Sequence, residues 1–298
     1  MSARLRSLLL LHAIVVVFGF TGILGKLITI DAEPLVFWRV AIGGLTTALF
    51  LSVHRGWHAW RPKELLAAGA VGWLVAAHWV TFFASIKASS VGLALTMLAT
   101  APLFVGLIEP WLMGRKVARR ELLVAGVVFL GIALVFQAEG DQILGVTLGL
   151  VSAVLASFFS VFNGMLVKRY DPVNLSAVEL LSASMGMFLV LLFTGQVGKE
   201  LWQLSSSDWL WIVLLAVVAT SVAFMVSIRV LKDLSPFETA MAINLEPIYA
   251  IVLAYFLFEE RFEPTFYVGA SLVIGAVMLD TALRASPPKT KTPTPGRQ

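Results

Sequence analysis

An all-α integral membrane protein of ten transmembrane helices, arranged as two inverted five-helix repeats with both termini cytoplasmic, is the fold class that three features of this sequence predict. Its 298 residues are 59% hydrophobic and only 13% charged, about half the charged share of a soluble domain, which leaves more apolar surface than a soluble core can hide. The apolar residues gather into ten runs, each near the length of about 20 residues that a helix needs to cross a bilayer. Lysine and arginine collect in every second connection between those runs, the asymmetry that marks cytoplasmic loops.

The runs lie at about 7–28, 34–53, 65–86, 90–111, 121–137, 143–167, 174–194, 208–229, 236–257 and 264–283, with charge, proline or glycine clusters between them. The first follows Arg4 and Arg6 as a secretion signal would, but it is long and has no small-residue cleavage site, so it reads as a span. "TIDAEP" separates it from the second run, and "HRGWHAWRPKE" separates the second from the third. A short link at Lys87 leads to the fourth, "GRKVARR" to the fifth and "QAEGDQ" to the sixth. Lys168 and Arg169, then Lys199, then Arg229 with Lys232 break the next three intervals, and "FEERFEP" precedes the tenth run. The last stretch, 284–298, is a Pro/Thr/Lys tail with no means of packing.

Of the 22 Lys and Arg residues, seventeen fall at the N-terminus, in alternate connections and in the tail, while Lys26, Lys87, Lys199 and Arg261 are the only four on the other side. Both ends are therefore expected in the cytoplasm and the span count is expected to be even. The chain also repeats itself at an offset of 145. "SIKASSVGLALTMLATAPLF" from Ser85 aligns with "VLKDLSPFETAMAINLEPIY" from Val230, pairing Lys87 with Lys232, Ser90 with Ser235 and Pro102 with Pro247. The halves are 7–137 and 143–283. With five spans in each, the copies run in opposite directions, the plan of secondary transporters that bind a small molecule near the bilayer midplane between repeats.

Ionisable and polar groups inside a span cost at least about 2.5 kcal/mol, so each needs a partner, water or a function. Glu246 lies in the middle of the ninth run and is the first candidate. It either ties helices together through hydrogen bonds or faces a cavity as a contact for a substrate amine or a proton. Asn244 and Tyr249 are further candidates for substrate contact: Tyr249 is expected on the helix face of Glu246, and Asn244, two residues from it, on another. His78, Trp79 and Phe82 of the third run and Phe224 of the eighth are candidates for the walls of the same site, apolar or cation-facing; for His78 a bond to a neighbouring helix's carbonyl is the alternative. Asn163 shares the sixth run with Ser157 and Ser160, a polar face that also serves as helix glue. Arg39 and Lys26 are placed near the outer surface, Arg39 as a partner of Glu33 or Glu263 in a gate and Lys26 as a snorkelling cation. Glu179, near the inner surface, is assigned to ion pairing with Lys168, Arg169 or Arg229, and Glu109, beside Pro110, to a pair or a helix exit. Pro102 and Pro247 are expected to bend the fourth and ninth helices around the cavity. Gly19, Gly22 and Gly25 permit close helix approach.

The composition also excludes function classes. No cysteine is present, which removes thiolate metal sites and cysteine nucleophiles. The four histidines are scattered and no GxSxG or HExxH occurs, so no enzyme motif, metal site or cofactor is expected. The net charge of +4 lies between apolar runs, where it orients helices, and nucleic acid is not an expected partner. The expected partners are the lipid bilayer and a small-molecule substrate. Proton antiport, uniport and exchange all fit, as do a monomer and a homodimer.

Lys26 at the end of the first run, "PLVFWR" with Arg39 opening the second, "APLFVGLIEPWLMGRKVARRELLVAGVVFLGIALVF" and "LEPIYAIVLAYFLFEERFEPTFYVGASLVIGAVML" closing the two halves together resemble the drug/metabolite transporter superfamily in its ten-helix form with two EamA domains. The resemblance covers residues 7 to 283. It implies a carrier in the bacterial inner membrane that moves small metabolites, often amino acids or related compounds, outward. It also implies a central cavity lined by helices one, three, four, six, eight and nine. "MGRKVARR" departs from the acidic loop that "FEERFEP" retains, so no function is carried to that loop.

Overall fold

The structure is a computed structural model and describes residues 3–113, 119–138, 140–243 and 245–285. Among them every regular element is helical: α1 (Ala3–Leu27), α2 (Ala32–His54), α3 (Pro62–Ala88), α4 (Val91–Leu98), α5 (Ala101–Met113), α6 (Arg119–Ala138), α7 (Ile143–Leu166), α8 (Pro172–Phe193), the single turn α9 (Lys199–Trp202), α10 (Ser206–Ala216), α11 (Ala223–Val230), α12 (Pro236–Ile243), α13 (Glu246–Phe258) and α14 (Pro264–Ala285). A short 3-10 turn spans Gly140–Gln142, and a π-helical segment, Val217–Val222, joins α10 to α11. Seven helical stretches are long and apolar enough to cross a membrane, and Leu123–Ala138, Glu246–Phe258 and Pro264–Ala276 are shorter apolar helices. Leu66, Leu123, Phe193 and Phe256 are each more than 70% exposed, a surface that water would not tolerate and lipid does. The tail beyond residue 285 lies outside the described residues.

The ends of these helices carry conventional signals. Asp171 accepts from the backbone N–H of Val173 and Asn174 at the start of α8, with Pro172 in the first position, so two otherwise orphaned donors are satisfied. Ser90 and Ser235, the pair matched by the 145-residue offset, are both N-caps. Their hydroxyl oxygens accept from Leu93 N–H and Glu238 N–H, each at 3.1 Å.

The two matched prolines interrupt their helices instead of bending them. The fourth run stops at Leu98 and restarts at Ala101, and the ninth stops at Ile243 and restarts at Glu246. The same offset of 145 carries every limit of the first broken helix onto a limit of the second. Pro102 and Pro247 each take the second position of the new helix, where a missing N–H costs nothing because that donor has no intrahelical partner.

Equivalent helices of the two halves pack antiparallel. The end of α6 around Val135 and Ala138 meets the start of α14 at Phe266 and Ala270, while Val124 and Ala125 at its other end meet Val273 and Ala276. At the crossing a Cβ on Gly131 would stand 2.8 Å from the carbonyl oxygen of Gly269, and one on Gly269 would stand 2.6 Å from that of Gly131. The pair α2 and α8 runs the same way, with Phe37 on Phe188 and Gly44 against Leu180. α3 lies against both α7 and α8. A Cβ on Gly72 would come 2.2 Å from the carbonyl oxygen of Glu179, so α3 and α8 touch backbone to backbone there. Gly72→Ala is expected to push them apart and cost about 1–3 kcal/mol, the usual penalty of overpacking. An unaltered melting temperature of the purified variant would contradict that contact.

α1 is fastened at both ends to the second half. At its start Arg4 pairs with Glu238, and Ser7 donates its hydroxyl to Asp233 at 2.6 Å, where Arg229 also donates at 3.0 Å. Just past its end the N–H and hydroxyl of Thr29 donate to the two oxygens of Asp208 at 2.7 and 2.8 Å. On that face the backbone N–H groups of Val91 and Gly92 also donate to the Glu260 carboxylate, both at 3.1 Å. The Ser7 hydroxyl and then Arg229 hold the Asp233 carboxyl below its ordinary value. A depressed folded-state value means that the tether's contribution is complete above the ordinary aspartate value of about 3.9 and is lost as pH falls through the lower one. Protection of the first turns of α1 against amide exchange, taken relative to the intrinsic rate at each pH, should therefore fall on acidification below about pH 4 and should already be low at neutral pH in Asp233→Asn; equal protection in wild type and variant at neutral pH would refute the tether.

Candidate functional site

A cavity of ≈ 130 Å³ lies where the two broken helices meet. It is close in size to a void of roughly 150 Å³ that accepts one benzene ring. Its walls come from α1, α3, α4, α5, α7, α11, α12 and α13, which are the first, third, fourth, sixth, eighth and ninth runs of the sequence, the set that the family resemblance implies. Neither α2 nor α8 reaches it.

Six rings, those of Phe18, His78, Trp79, Phe82, Phe159 and Phe224, share the walls with aliphatic and small polar side chains. Trp79 meets Phe224 edge-on at 5.7 Å between centroids, and His78 lies 5.4 Å from Phe159 and 6.3 Å from Phe82. Glu246 opens α13 and lines the cavity at 5% exposure, with Pro247 beside it. The residue reaches the centre because the helix restarts there: a carboxylate at a helix N-terminus faces the positive end of the backbone dipole. The Nδ1 of His78 sits 2.8 Å from the Ser152 hydroxyl and 3.0 Å from its carbonyl oxygen. That contact with the neighbouring helix fixes the ring and leaves Nε2 as the nitrogen able to serve the cavity.

Arg39 is not at the outer surface and pairs with neither Glu33 nor Glu263. It is 1% exposed, donates from Nε to the Thr220 hydroxyl at 2.6 Å, and lays its guanidinium 3.8 Å over the Trp79 ring. Two local features draw it in. Arg39, Gly43 and Thr47 recur at intervals of four and form one face of α2; a Cβ on Gly43 would stand 3.0 Å from the Thr220 methyl, so its absence admits the π-helical segment, and Thr47 meets the Ser221 hydroxyl at 2.8 Å. The π turn then presents Thr220, whose own hydroxyl bonds back to the Leu215 carbonyl five residues earlier. Arg39 therefore backs the aromatic wall from behind and acts by Coulomb attraction on Glu246 across it, and the Trp79 face is taken by an internal cation.

Glu179 also departs from expectation. It is fully buried, and its partner is Asn163, which donates Nδ2 to Oε2 at 3.2 Å; Lys168 and Arg169 lie beyond the end of α7, and Arg229 is engaged by Asp233. Asn163 itself lines the cavity. Tyr249 does not: α1 passes against its Cβ at Gly19, and the side chain is 46% exposed on the far side. Lys26 is exposed at the end of α1, Glu109 is half-buried in α5, and Asn244 lies outside the described residues. Three of the wall residues that carried no expectation bear on the cavity's chemistry. Thr21 and Thr239 each bring a buried hydroxyl with no protein partner to the cavity, and Phe159 supplies a ring. Single threonines in apolar helices usually bond to their own backbone, so only the three-dimensional arrangement marks these two. Among the described residues no group of three or more His, Cys, Asp or Glu is placed to hold a metal.

The arrangement matches known proteins along the whole chain. Residues 5–137 and 143–281 each match the EamA-like transporter family. An uncharacterized transporter of Archaeoglobus fulgidus is 24% identical over 265 residues, covering 89% of this chain and 92% of that protein. The uncharacterized transporter YxxF of Bacillus subtilis is 26% identical over 248 residues, covering 80% and 77%. One solved crystal structure superposes on 96% of this chain with a TM-score of 0.71 at 15% identity, a likeness of fold. With both halves matched and the apolar helices to span a bilayer, the chain belongs to the EamA-like transporter family of multi-pass membrane proteins.

Proposed function

We propose that this protein is a secondary carrier that binds small amine-bearing organic metabolites in the central cavity and moves them outward across a bacterial inner membrane by alternating access. Ten spans in two inverted repeats, with both termini cytoplasmic, are the topology of this reading. The antiparallel pairing of α6 with α14 and of α2 with α8 supports the inversion, and the alternation of basic loops supports the orientation. The single observation that carries the function is the position of Glu246: a carboxylate at the restart of a broken helix, on a cavity built from both halves whose lining is mostly apolar and includes six rings. A carboxylate attracts an ammonium, and aromatic faces favour the same charge and an apolar body. The size of the cavity limits the cargo to about one ring or a short branched chain.

Flux into proteoliposomes tests it. Amine-bearing metabolites should show saturable uptake that unlabelled amines of the same size compete away, and the same compounds should raise the melting temperature of the purified protein. Saturable flux of anions alone would overturn the assignment.

A further inference from the structure

Glu179 stands at the same place in α8 as Arg39 in α2. Each is the eighth residue of its helix, each helix follows an aspartate at the N-cap, and the two helices run antiparallel. The two groups therefore lie about 11 Å in from opposite faces of the bundle. Arg39 donates to Thr220 and lies over the Trp79 and Phe83 rings, with Nη1 left unpartnered; Glu179 has one amide and no ring or cation among the described residues. Its Oε1 has no partner, and neither does Oδ1 of Asn163. The charged and titratable groups on every element packed against α8 are otherwise directed. On α2, Arg39 turns to Thr220 and Trp79, with Glu33 and His54 at the helix ends. On α3, His78 is held by Ser152, and Lys63, Glu64 and Lys87 sit at the ends. On α11, Arg229 pairs with Asp233. An ionised carboxylate with no cation in such a place carries an uncompensated desolvation cost, while the neutral acid tolerates it. The backbone of α3 closes over it at Gly72, so the way out is through Asn163, whose side chain borders the cavity.

Building on the carrier reading, we infer that Glu179 is the proton-binding site of this protein, filled and emptied through Asn163 from the cavity, while Glu246 receives the substrate. In the closed state Glu179 holds its proton. When the cavity opens toward the face nearer Glu179, water entering beside Asn163 takes that proton: the carboxyl O–H bond breaks, its electron pair stays on Glu179 and a hydronium ion leaves. The ionised form is stable only while water reaches it, so it favours the open state, and reprotonation favours closure. Reprotonation happens when the cavity opens toward the opposite face: a hydronium ion from that side reaches Glu179 beside Asn163, the carboxylate electron pair forms the new O–H bond and water is left behind. One proton therefore crosses in each full cycle, on a group separate from the one that holds the cargo.

Infrared spectroscopy of the full-length protein in lipid nanodiscs reads Glu179 without any substrate. A protonated-carboxyl band is expected at neutral pH in wild type, lost in Glu179→Gln, retained in Glu246→Gln, and slower to shift on transfer to heavy water in Asn163→Leu, where the acid remains and its route is blocked. The band should disappear at alkaline pH. Absence of any band attributable to Glu179, or a band that persists unchanged at every pH, overturns the proposal. Coupling is read with tetramethylammonium, whose charge is fixed and whose size fits the cavity, in proteoliposomes under an imposed pH gradient with the membrane potential held at zero. Wild type should accumulate it above the equilibrium ratio, and Glu179→Gln should carry it only to a ratio of one. Gradient-driven accumulation by Glu179→Gln equal to wild type overturns the coupling. Absence of wild-type movement of any amine would refute the carrier reading instead, and the infrared bands decide the proton site in that case too.

Discussion

Glu246→Gln is expected to weaken binding of an amine-bearing substrate by about ten- to a hundredfold. The substitution keeps the shape of the side chain and its place at the head of α13 but removes the charge that an ammonium meets. A hydrogen bond to a charged group is worth about 1.5–3 kcal/mol, and each 1.4 kcal/mol is about tenfold in affinity. The loss should appear as a raised KM for flux and a smaller ligand-induced rise in melting temperature, with the melting temperature of the free protein little changed. An uncharged analogue of the same size should bind both forms alike. Equal KM for the amine in wild type and variant would remove Glu246 from the substrate site.

Arg39→Ala should give the largest fall in stability of any single substitution near the site. It removes the stack on Trp79, worth about 2 kcal/mol in a desolvated place, and the bond to Thr220, about 1.5–3 kcal/mol, and it leaves the space beside Phe83 empty. A loss of about 3–5 kcal/mol follows from these terms together, near the cost of disrupting other buried charge arrangements. Arg39→Lys should recover only part of it, because an ammonium has neither the flat face nor the fork of a guanidinium. Affinity for a cationic substrate should not fall in parallel. Arg39 and the substrate attract the same carboxylate, so the folded fraction of Arg39→Ala should bind an ammonium at least as tightly as wild type. Thermal unfolding in detergent measures the first effect and ligand titration of the folded fraction the second. A drop in both to the same degree would mean that Arg39 holds the site's shape and does not compete for its charge.

The contrast between these two residues shows what a sequence discloses in a membrane protein. The position of Glu246 could be read because its depth follows from counting apolar residues on either side, and because the offset repeat set Pro247 against Pro102. The depth of Arg39 follows from the same count, but its direction does not: whether a cation one or two turns inside a helix snorkels or turns inward depends on what the neighbouring helix offers. Here the neighbour offers Thr220, exposed by one extra residue in a π turn that no local pattern announces. Glu179 was assigned to surface cations for the same reason, and its partner Asn163 was legible only as a polar residue in the sixth run. Tyr249 fails for a different cause. It stands three residues after Glu246 on the same helix, but α1 packs against its Cβ at Gly19, and the ring is left on the exposed side.

The crossing of α6 and α14 constrains how the molecule can move. At Gly131 and Gly269 the two main chains are in mutual contact, with no side chain between them to change rotamer or slide. Such a joint resists translation but permits tilt about the point of contact. On the carrier reading proposed above, the pair would serve as a fulcrum, and the helices around the cavity as lever arms whose travel grows with distance from it. The tethered end of α1 at Thr29 and the capped start of α4 at Ser90 are, on that reading, where a small rotation at the glycines would become a displacement large enough to open a mouth. A rigid chemical cross-link across the fulcrum should leave transport standing, and the same cross-link between α1 and α11 should stop it.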